Sequence, residues 1–292
     1  MNDAILVERL KMTATGEQLS SDIKTILLHV QRDASLQQRL ETALSIARAT
    51  GAHLQCVHVT PIEAYVTMEN WGGIFTLDEA MEEVDAQEAQ LRSEIEANLG
   101  KEDVSWDYEQ VAGHVVGEIV RRSALADLVV TGRDAHLTKF QRPELALLGD
   151  MLTNIRSPLL VPGSGASELD LFGTAVIAWN GSFEAANAVR AALGMLRLAG
   201  EVRVIRYTEQ KQAAFPDTRL TEYLSRHGIH GELDVRPVQV DYADDLVEYA
   251  QLYRAGYIIM GGYGHSRVSE IVFGGVTRAM LRSCPVSLLI AH

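Results

Sequence analysis

A glycine-rich stretch near the C-terminus contains the residues of this chain that are best suited to bind an anion. It reads GGYGHSRVSEIVFGGVTR from Gly261, and nine residues separate Gly264 from the pair Gly274 and Gly275. Backbone N–H groups beside glycine approach an anion closely because no Cβ stands in the way. A glycine pair at the start of a helix also directs free N–H groups and the positive end of the helix dipole at a phosphate. The spacing therefore predicts two backbone anion sites.

The same glycines have a structural alternative, because glycine also allows tight turns and close contacts between helices and sheets. The stretch follows the apolar run YIIM and precedes VTRAMLRS, so it connects a predicted strand to a predicted helix. This position favours phosphate binding over a packing role. Thr277 adds a hydroxyl group, and His265 and Arg267 add hydrogen-bond donors or charge. A scaffold role is the alternative for His265, since His136 occupies the same place in the first half of the chain.

The chain contains two copies of one unit. KTILLHV from Lys24 aligns with GTAVIAW from Gly173, and ADLVVTG from Ala126 aligns with AGYIIMG from Ala255. Both copies alternate amphipathic helices with short apolar runs, which are typical of strands buried on both faces of a parallel sheet. The pattern predicts an α/β fold of two tandem, doubly wound, open parallel-sheet domains. Ligands bind such sheets beyond the carboxyl ends of the strands, where the glycine-rich stretch begins.

The predicted domain boundaries follow the repeat. Residues 1–20 are an N-terminal extension, 21–163 the first domain, 164–172 a linker and 173–292 the second domain. The last predicted strands of the two domains are SPLLV at 157–161 and VSLLI at 286–290.

Composition narrows the class of protein. The chain has 292 residues and a formal net charge of −13, which argues against nucleic-acid binding. Its two cysteines, Cys56 and Cys284, lack the spacing of a metal site, as expected of buried thiols in a reducing compartment. The sequence shows neither a signal peptide nor an apolar run of membrane-spanning length. We therefore expect a soluble cytoplasmic protein that does not insert into membranes.

The C-terminal segment GGYGHSRVSEIVFGGVTRAMLRSCPVSLLIAH resembles the end of universal stress protein domains. In that family the pattern Gly-two-Gly-nine-Gly-Ser/Thr marks members that bind ATP. VIAWNGSFEAANAVRAAL from Val176 is similar to the family's opening strand and helix. The resemblance covers both halves and implies a tandem universal stress protein with a Rossmann-like, adenine nucleotide α-hydrolase-like fold. It also implies that the two domains pair through their last strands, with a homodimer and an unidentified protein partner as further associations.

The resemblance implies a site for ATP, ADP or AMP, with or without Mg²⁺, in the second domain. Gly275 stands where the family usually has Ser or Thr, and Asn180 stands where it often has Asp, so this chain offers one hydroxyl and one charge fewer. The implied binding residues are Ala178, Trp179, Asn180, Gly181, Ser182, Val240, Met260, Gly261, Gly262, Gly264, His265, Arg267, Gly274, Gly275, Val276 and Thr277.

The first domain lacks the glycines of the motif. Ala135, Leu145 and Ala146 replace Gly264, Gly274 and Gly275 in the repeat, and Gly132 alone remains, over Gly261. We therefore predict that the first domain binds no nucleotide in this mode and serves as a structural partner. The basic residues of its loop, Arg133, Lys139 and Arg142, are interpreted as solvated charges.

No catalytic motif is evident in the sequence. Asp241, Asp244 and Asp245 are interpreted as an N-terminal cap of a helix. Asp33 and Glu41 are interpreted as solvated helix positions. At most slow ATP hydrolysis is expected. Three functions stay open: a stress-response regulatory protein that binds ATP or ADP, a scaffold of the same fold with an empty site, and a small-molecule or lipid-binding module with Tyr65 to Leu77 as a lid.

Overall fold

The computed structural model describes residues 22–61, 77–133, 146–164, 168–208, 215–262 and 275–292. The expected N-terminal extension therefore lies outside the described residues, as does the proposed lid apart from Leu77. Lys139 and Arg142 lie outside them too.

Each half of the chain contributes five strands. The first half contains β1 (Thr25–Val30), β2 (His53–Pro61), β3 (Trp106–Gly113), β4 (Leu128–Val130) and β5 (Leu159–Val161). Its helices are α1 (Leu36–Thr50), α2 (Leu77–Leu99), α3 (Val115–Arg122) and α4 (Ala146–Asn154), with a 3₁₀ turn at Ser123–Leu125. The second half contains β6 (Thr174–Ala178), β7 (Glu201–Tyr207), β8 (Gly231–Arg236), β9 (Ala255–Gly261) and β10 (Ser287–Ala291). Its helices are α5 (Phe183–Ala191), α6 (Leu193–Leu196), α7 (Asp217–Arg226), α8 (Tyr242–Leu252) and α9 (Gly275–Ser283).

The ten strands form one continuous sheet in the order β3-β2-β1-β4-β5-β10-β9-β6-β7-β8. Neighbouring strands within each half are parallel, and β5 and β10 are antiparallel. The α/β fold class and the pairing of the two halves through their last strands are thus confirmed. Because β5 and β10 cover each other, the sheet has no unpaired edge at the junction.

Helices cover both faces of this sheet. One core lies between the sheet and α1, α2, α5, α6 and α7, and the other between the sheet and α3, α4, α8 and α9. Helix α1 ends at Gly51, which adopts a left-handed φ of 66° and whose N–H donates to the carbonyl of Ala47. The carboxyl ends of the strands in each half point to one edge, where α8 and α9 begin in the second half.

The prediction that Asp33 is a solvated helix position is wrong. The Asp33 side chain is 3% exposed and pairs with the buried guanidinium of Arg39 at 2.8 Å. Arg39 also donates to the backbone carbonyl of Gln31. Gly132 makes room for it, because a Cβ there would lie 2.2 Å from Arg39 Nη1. Asp33 is therefore a buried partner charge that ties the β1–α1 loop to α1, whereas Glu41 is a half-exposed partner of Arg48, as expected.

Candidate functional site

A cleft opens at the carboxyl edge of the second half of the sheet. Its volume is about 220 Å³, and the ends of β6, β7 and β9 and the first turns of α8 and α9 form its walls. The residues that line it are Ala178, Trp179, Asn180, Ile205, Tyr207, Tyr242, Leu246, Met260, Gly261, Gly275, Val276 and Thr277. This is the place where open parallel sheets bind ligands.

The structure brings half of the sixteen predicted binding residues together in this cleft. Those that line it are Ala178, Trp179, Asn180, Met260, Gly261, Gly275, Val276 and Thr277. Gly181, Ser182, Val240 and Gly262 are near the cleft in sequence but do not line it. Gly264, His265, Arg267 and Gly274 lie outside the described residues. The two ends of the glycine-rich stretch therefore meet the loop after β6 in one crevice.

Asn180 and Ser182 organise the loop that follows β6. The Asn180 side-chain oxygen accepts a hydrogen bond from the Ser182 N–H at 3.0 Å. Ser182 in turn caps α5, because its hydroxyl oxygen accepts from the Ala185 N–H at 3.1 Å. Gly181, between them, has a φ of 67°, which favours glycine. Besides this oxygen, which keeps a second lone pair, the Asn180 side chain offers its amide nitrogen as a donor to a ligand.

The Trp179 side chain belongs to the core rather than to the open part of the cleft. The residue is 3% exposed and packs in the cluster on the α5 face of the sheet. Its backbone N–H donates to the carbonyl of Ile205 at 2.9 Å. Ala178, one residue earlier, faces the opposite side and contributes to the cleft wall, as expected of alternating residues in a strand.

The three described glycines of the stretch have different reasons to be glycine. A Cβ on Gly261 would lie 2.6 Å from the backbone nitrogen of Ala185, so α5 can approach β9 only with glycine there. A Cβ on Gly262 would lie 2.9 Å from Ile290 Cγ2. Around Gly275, no described atom lies within 4 Å of such a Cβ, and its φ is not positive. Gly261 and Gly262 thus serve packing, whereas neither a packing contact nor a strained backbone explains Gly275.

Four lining residues were not predicted from the sequence: Ile205, Tyr207, Tyr242 and Leu246. The signal that could have found them is their position, since β7 ends at Tyr207 and α8 begins at Tyr242. The two tyrosine rings meet edge to face at a centroid distance of 5.6 Å. The four residues give the cleft an apolar and aromatic wall.

Tyr207 also brings a buried polar atom to this wall. The residue is 5% exposed, and its hydroxyl has no hydrogen-bond partner among the described residues. Burial raises the pKa of this hydroxyl, and the nearby Asp245 carboxylate raises it further, so the group is a neutral donor and acceptor. Buried hydroxyls are normally hydrogen-bonded, which makes Tyr207 an unfilled polar contact at the cleft.

The acidic cluster before α8 shapes the loop rather than the cleft. Asp241 caps α8, because its carboxylate accepts from the N–H groups of Ala243 and Asp244, which lowers its pKa. Asp245 accepts from the backbone N–H of Val240 at 3.2 Å and so fixes the same loop. The predicted N-terminal cap is confirmed. Val240 itself is 76% exposed.

Comparison with known proteins agrees with this architecture. A family model, the Universal stress protein family, matches residues 172–292. The second half of the chain is a universal stress protein domain. No curated protein sequence matches the chain significantly.

Solved structures extend the comparison to the first half. The chain is similar to a universal stress protein from Archaeoglobus fulgidus, with a TM-score of 0.71, 17% identity and coverage of 91% of this chain and 95% of the other. A functionally unknown protein from Pseudomonas aeruginosa PAO1 matches with a TM-score of 0.56, 17% identity and 92% coverage of both chains. A putative universal stress protein from another strain of that species gives 0.52, 16% identity and coverage of 92% and 93%. The whole chain therefore has the tandem fold of these structures. In the part of the chain that the structure describes, every helix is too short or too polar to span a lipid bilayer.

The first copy of the universal stress protein fold has buried side chains at three positions equivalent to cleft residues of the second copy. In the repeat, His29 stands where Ala178 stands and Thr131 where Met260 stands. The His29 ring nitrogen Nδ1 lies 3.3 Å from the Thr131 hydroxyl, and both residues are buried. Burial, followed by the charges of Arg39 and His58, lowers the pKa of His29 to about 3, so the ring is neutral. Leu148, which is also buried, replaces Thr277.

Arg133 is not the solvated loop charge that its sequence position indicated. Its Nε donates to the carbonyl of Pro162 at 2.8 Å, and its Nη1 donates to the carbonyls of Met280 and Leu281 at 3.0 Å. The side chain thus crosses from the first copy of the fold to α9 of the universal stress protein domain. The sequence could not show this contact because its partners lie 147 and 148 positions away.

Proposed function

We propose that this protein is a stress-response regulatory protein that binds an adenine nucleotide in its second domain, with the first domain as a non-binding structural partner. The observation that supports this most directly is Gly275. It stands at the start of α9, lines the cleft and has no described atom where its Cβ would be. A helix start that is open in this way can receive a phosphate on its free N–H groups.

The two sides of the cleft suit the two parts of a nucleotide. Gly275, Val276 and Thr277 offer backbone N–H groups at the helix start, and the buried Thr277 adds a hydroxyl to the phosphate side. Ile205 and Tyr207 give the opposite side an apolar surface for a flat heterocycle, with the Tyr207 hydroxyl available to its edge. The Asn180 amide nitrogen stands between them as a donor for the sugar.

The proposal concerns binding rather than turnover, and it includes ADP and AMP as well as ATP. Among the described residues, no group of three His, Cys, Asp or Glu side chains is placed to hold a metal ion. The described residues therefore offer no three-ligand site of their own for Mg²⁺, and we expect the ion to bind together with the nucleotide. A cytoplasmic location, a homodimer and a protein partner remain predictions. The free, buried thiols of Cys56 and Cys284 are compatible with a reducing compartment.

Calorimetric titration with ATP, together with native mass spectrometry, tests the proposal. Wild type should bind one nucleotide per chain, and Gly275→Leu should lose most of the affinity, because the new side chain would project from the start of α9, where the phosphate is proposed to bind. Gly117→Leu is the matched control. Gly117 is an exposed glycine in α3 with no described atom within 4 Å of its Cβ position, so the substitution should leave binding unchanged.

A scaffold protein with an empty site is the second candidate, and two observations favour it. Packing alone accounts for Gly261 and Gly262, and the Asn180 oxygen is already engaged in its loop. If wild type binds no nucleotide at millimolar ATP, the scaffold function replaces the nucleotide-binding one.

A further inference from the structure

Helix α9 lines the candidate site with its first residues and contacts the first domain with its last turn. It has nine residues, and its first three line the cleft of the second domain. Near its other end, Arg133 of the first domain donates to the carbonyls of Met280 and Leu281. These carbonyls lie in the last turn, where the helix dipole favours a cation. The Met280 carbonyl also accepts from the Cys284 N–H at 3.0 Å. The helix therefore connects the candidate site directly to the first domain.

The segment that follows β5 makes further contacts with the C-terminal end of α9. The Ser164 N–H donates to the carbonyl of Cys284 at 2.9 Å, and its hydroxyl donates to the carbonyl of Ser283 at 3.0 Å. A Cβ on Gly163 would lie 2.0 Å from the carbonyl oxygen of Pro285, so the backbones are in close contact. Arg133 is tied to the same segment through the carbonyl of Pro162.

The arrangement is asymmetric between the two copies of the repeat. The residue equivalent to Arg133 in the second domain is Gly262, which has no side chain to reach α4 of the first domain. Instead, the Asn154 amide of α4 donates to the carbonyl of Asp150 at 2.7 Å within the same helix. The copy that carries the buried His29 in place of Ala178 thus supplies an arginine to the copy that contains the cleft.

We propose that Arg133 is a positioning residue through which the first domain sets the affinity of the second domain for the phosphate part of its ligand. The proposal rests on the proposed nucleotide binding. Because α9 is a single hydrogen-bonded helix of nine residues, restraining its C-terminal carbonyls restrains the N–H groups of Gly275 to Thr277 at its other end. Coupling is reciprocal, so an anion bound at the start of α9 stabilises the contact of Arg133 with its end.

The experiment compares full-length wild type with Arg133→Met and Arg133→Lys. Calorimetry gives the affinities for ATP and for adenosine, and amide hydrogen exchange gives the protection of residues 275–283 without ligand. Arg133→Met should weaken ATP binding by about tenfold, within the usual range of couplings between sites, and leave adenosine binding unchanged. It should also speed exchange in α9. Arg133→Lys keeps the charge and should recover part of the ATP affinity. The control is Arg121→Gln, since Arg121 is 66% exposed on α3.

Each outcome decides between the possibilities. A selective loss of ATP affinity with faster exchange in α9 supports the proposal. Equal losses for ATP and adenosine, or a lower fraction of binding-competent protein, would show that Arg133 only stabilises the fold. Unchanged ATP binding in Arg133→Met would overturn the coupling while nucleotide binding stands. If wild type binds no ATP, both proposals fail. Faster exchange of α9 in Arg133→Met would then show that Arg133 only caps this helix.

Discussion

Leu160 and Leu289 face each other across the antiparallel junction of β5 and β10, and they are the same position of the two repeats. The flanking pairs show the same symmetry, since Leu159 pairs with Ile290 and Val161 with Leu288. A pseudo-twofold axis therefore passes between the two leucines. The chain builds within one polypeptide the isologous contact that two identical subunits would make around a twofold axis.

Truncation of either leucine should destabilise the junction. Both side chains are buried in the same core cluster, at 0% and 1% exposure. Leu160→Ala and Leu289→Ala should each lower the free energy of unfolding in urea by about 2–4 kcal/mol. The double variant should lose less than the sum, because the side chains contact each other. Leu125→Ala, at a 91% exposed position, should change little. Additive losses would show that the two leucines act independently.

The Tyr207 hydroxyl should matter for the ligand and not for the fold. Tyr207→Phe removes a hydroxyl without a described partner, so stability should be kept, whereas ATP binding should weaken by about 1 kcal/mol if the ligand uses the group. Tyr257→Phe is the opposite control. Its hydroxyl donates to the carbonyl of Met195 at 2.9 Å, so this change should cost stability and spare ATP affinity. Equal ATP affinities of wild type and Tyr207→Phe in calorimetry would exclude a contact with the ligand.

Because residue 180 is Asn rather than Asp, the affinity for ATP should depend little on Mg²⁺. The Asn180 amide carries no charge for a metal, and its oxygen accepts from the Ser182 N–H. Asn180→Asp keeps that acceptor, so the loop should keep its shape. The variant should bind ATP about tenfold more weakly in EDTA than in Mg²⁺, a difference of about 1.4 kcal/mol. Wild type should differ much less between the two conditions, and a large Mg²⁺ effect in wild type would place a metal-binding group elsewhere.

The fold could be predicted from the sequence because its information is local and repeated. The apolar runs around Val129 and Ile258 indicate buried parallel strands, and the repeat itself indicates the tandem arrangement. Half of the predicted site residues line the cleft for the same reason, since ligands meet parallel strands at their carboxyl ends. Tyr207 ends β7 and therefore satisfies the same rule, so it could have been included among the predicted binding residues.

The remaining features depend on partners that sequence position does not reveal. Asp33 follows a strand like any polar loop residue, and only the fold shows the buried guanidinium of Arg39 beside it. Arg133 finds its acceptors in the other half of the chain. Gly261 and Gly275 are glycines of one motif. Gly261 is required by the approach of α5, whereas no described atom lies near the Cβ position of Gly275. Sequence spacing cannot separate these two reasons, because both need only the absence of a Cβ.

Two buried histidines should make the protein less stable as the pH falls below neutral. Burial, with contributions from Arg39 and His58, lowers the pKa of His29 to about 3. Burial and the charge of Arg32 lower that of His58 to about 4. In the unfolded chain both would titrate near the ordinary value of about 6.5, so below that pH the unfolded state binds more protons than the folded state. The free energy of unfolding should therefore fall from pH 6.5 toward pH 4, by at most about 1.4 kcal/mol per pH unit for each histidine.

Urea denaturation at pH 7, 6 and 5 measures this slope. The double variant His29→Gln, His58→Gln should be less stable at neutral pH, because it loses the contacts of His29 with Thr131 and of His58 with Tyr108 and Glu88. Its dependence on pH should nevertheless be flatter, since two of the groups that take up protons on unfolding are gone. His230→Gln, at an exposed position, should keep the wild-type slope. The same slope in the double variant as in wild type would assign the acid sensitivity to groups other than these two histidines.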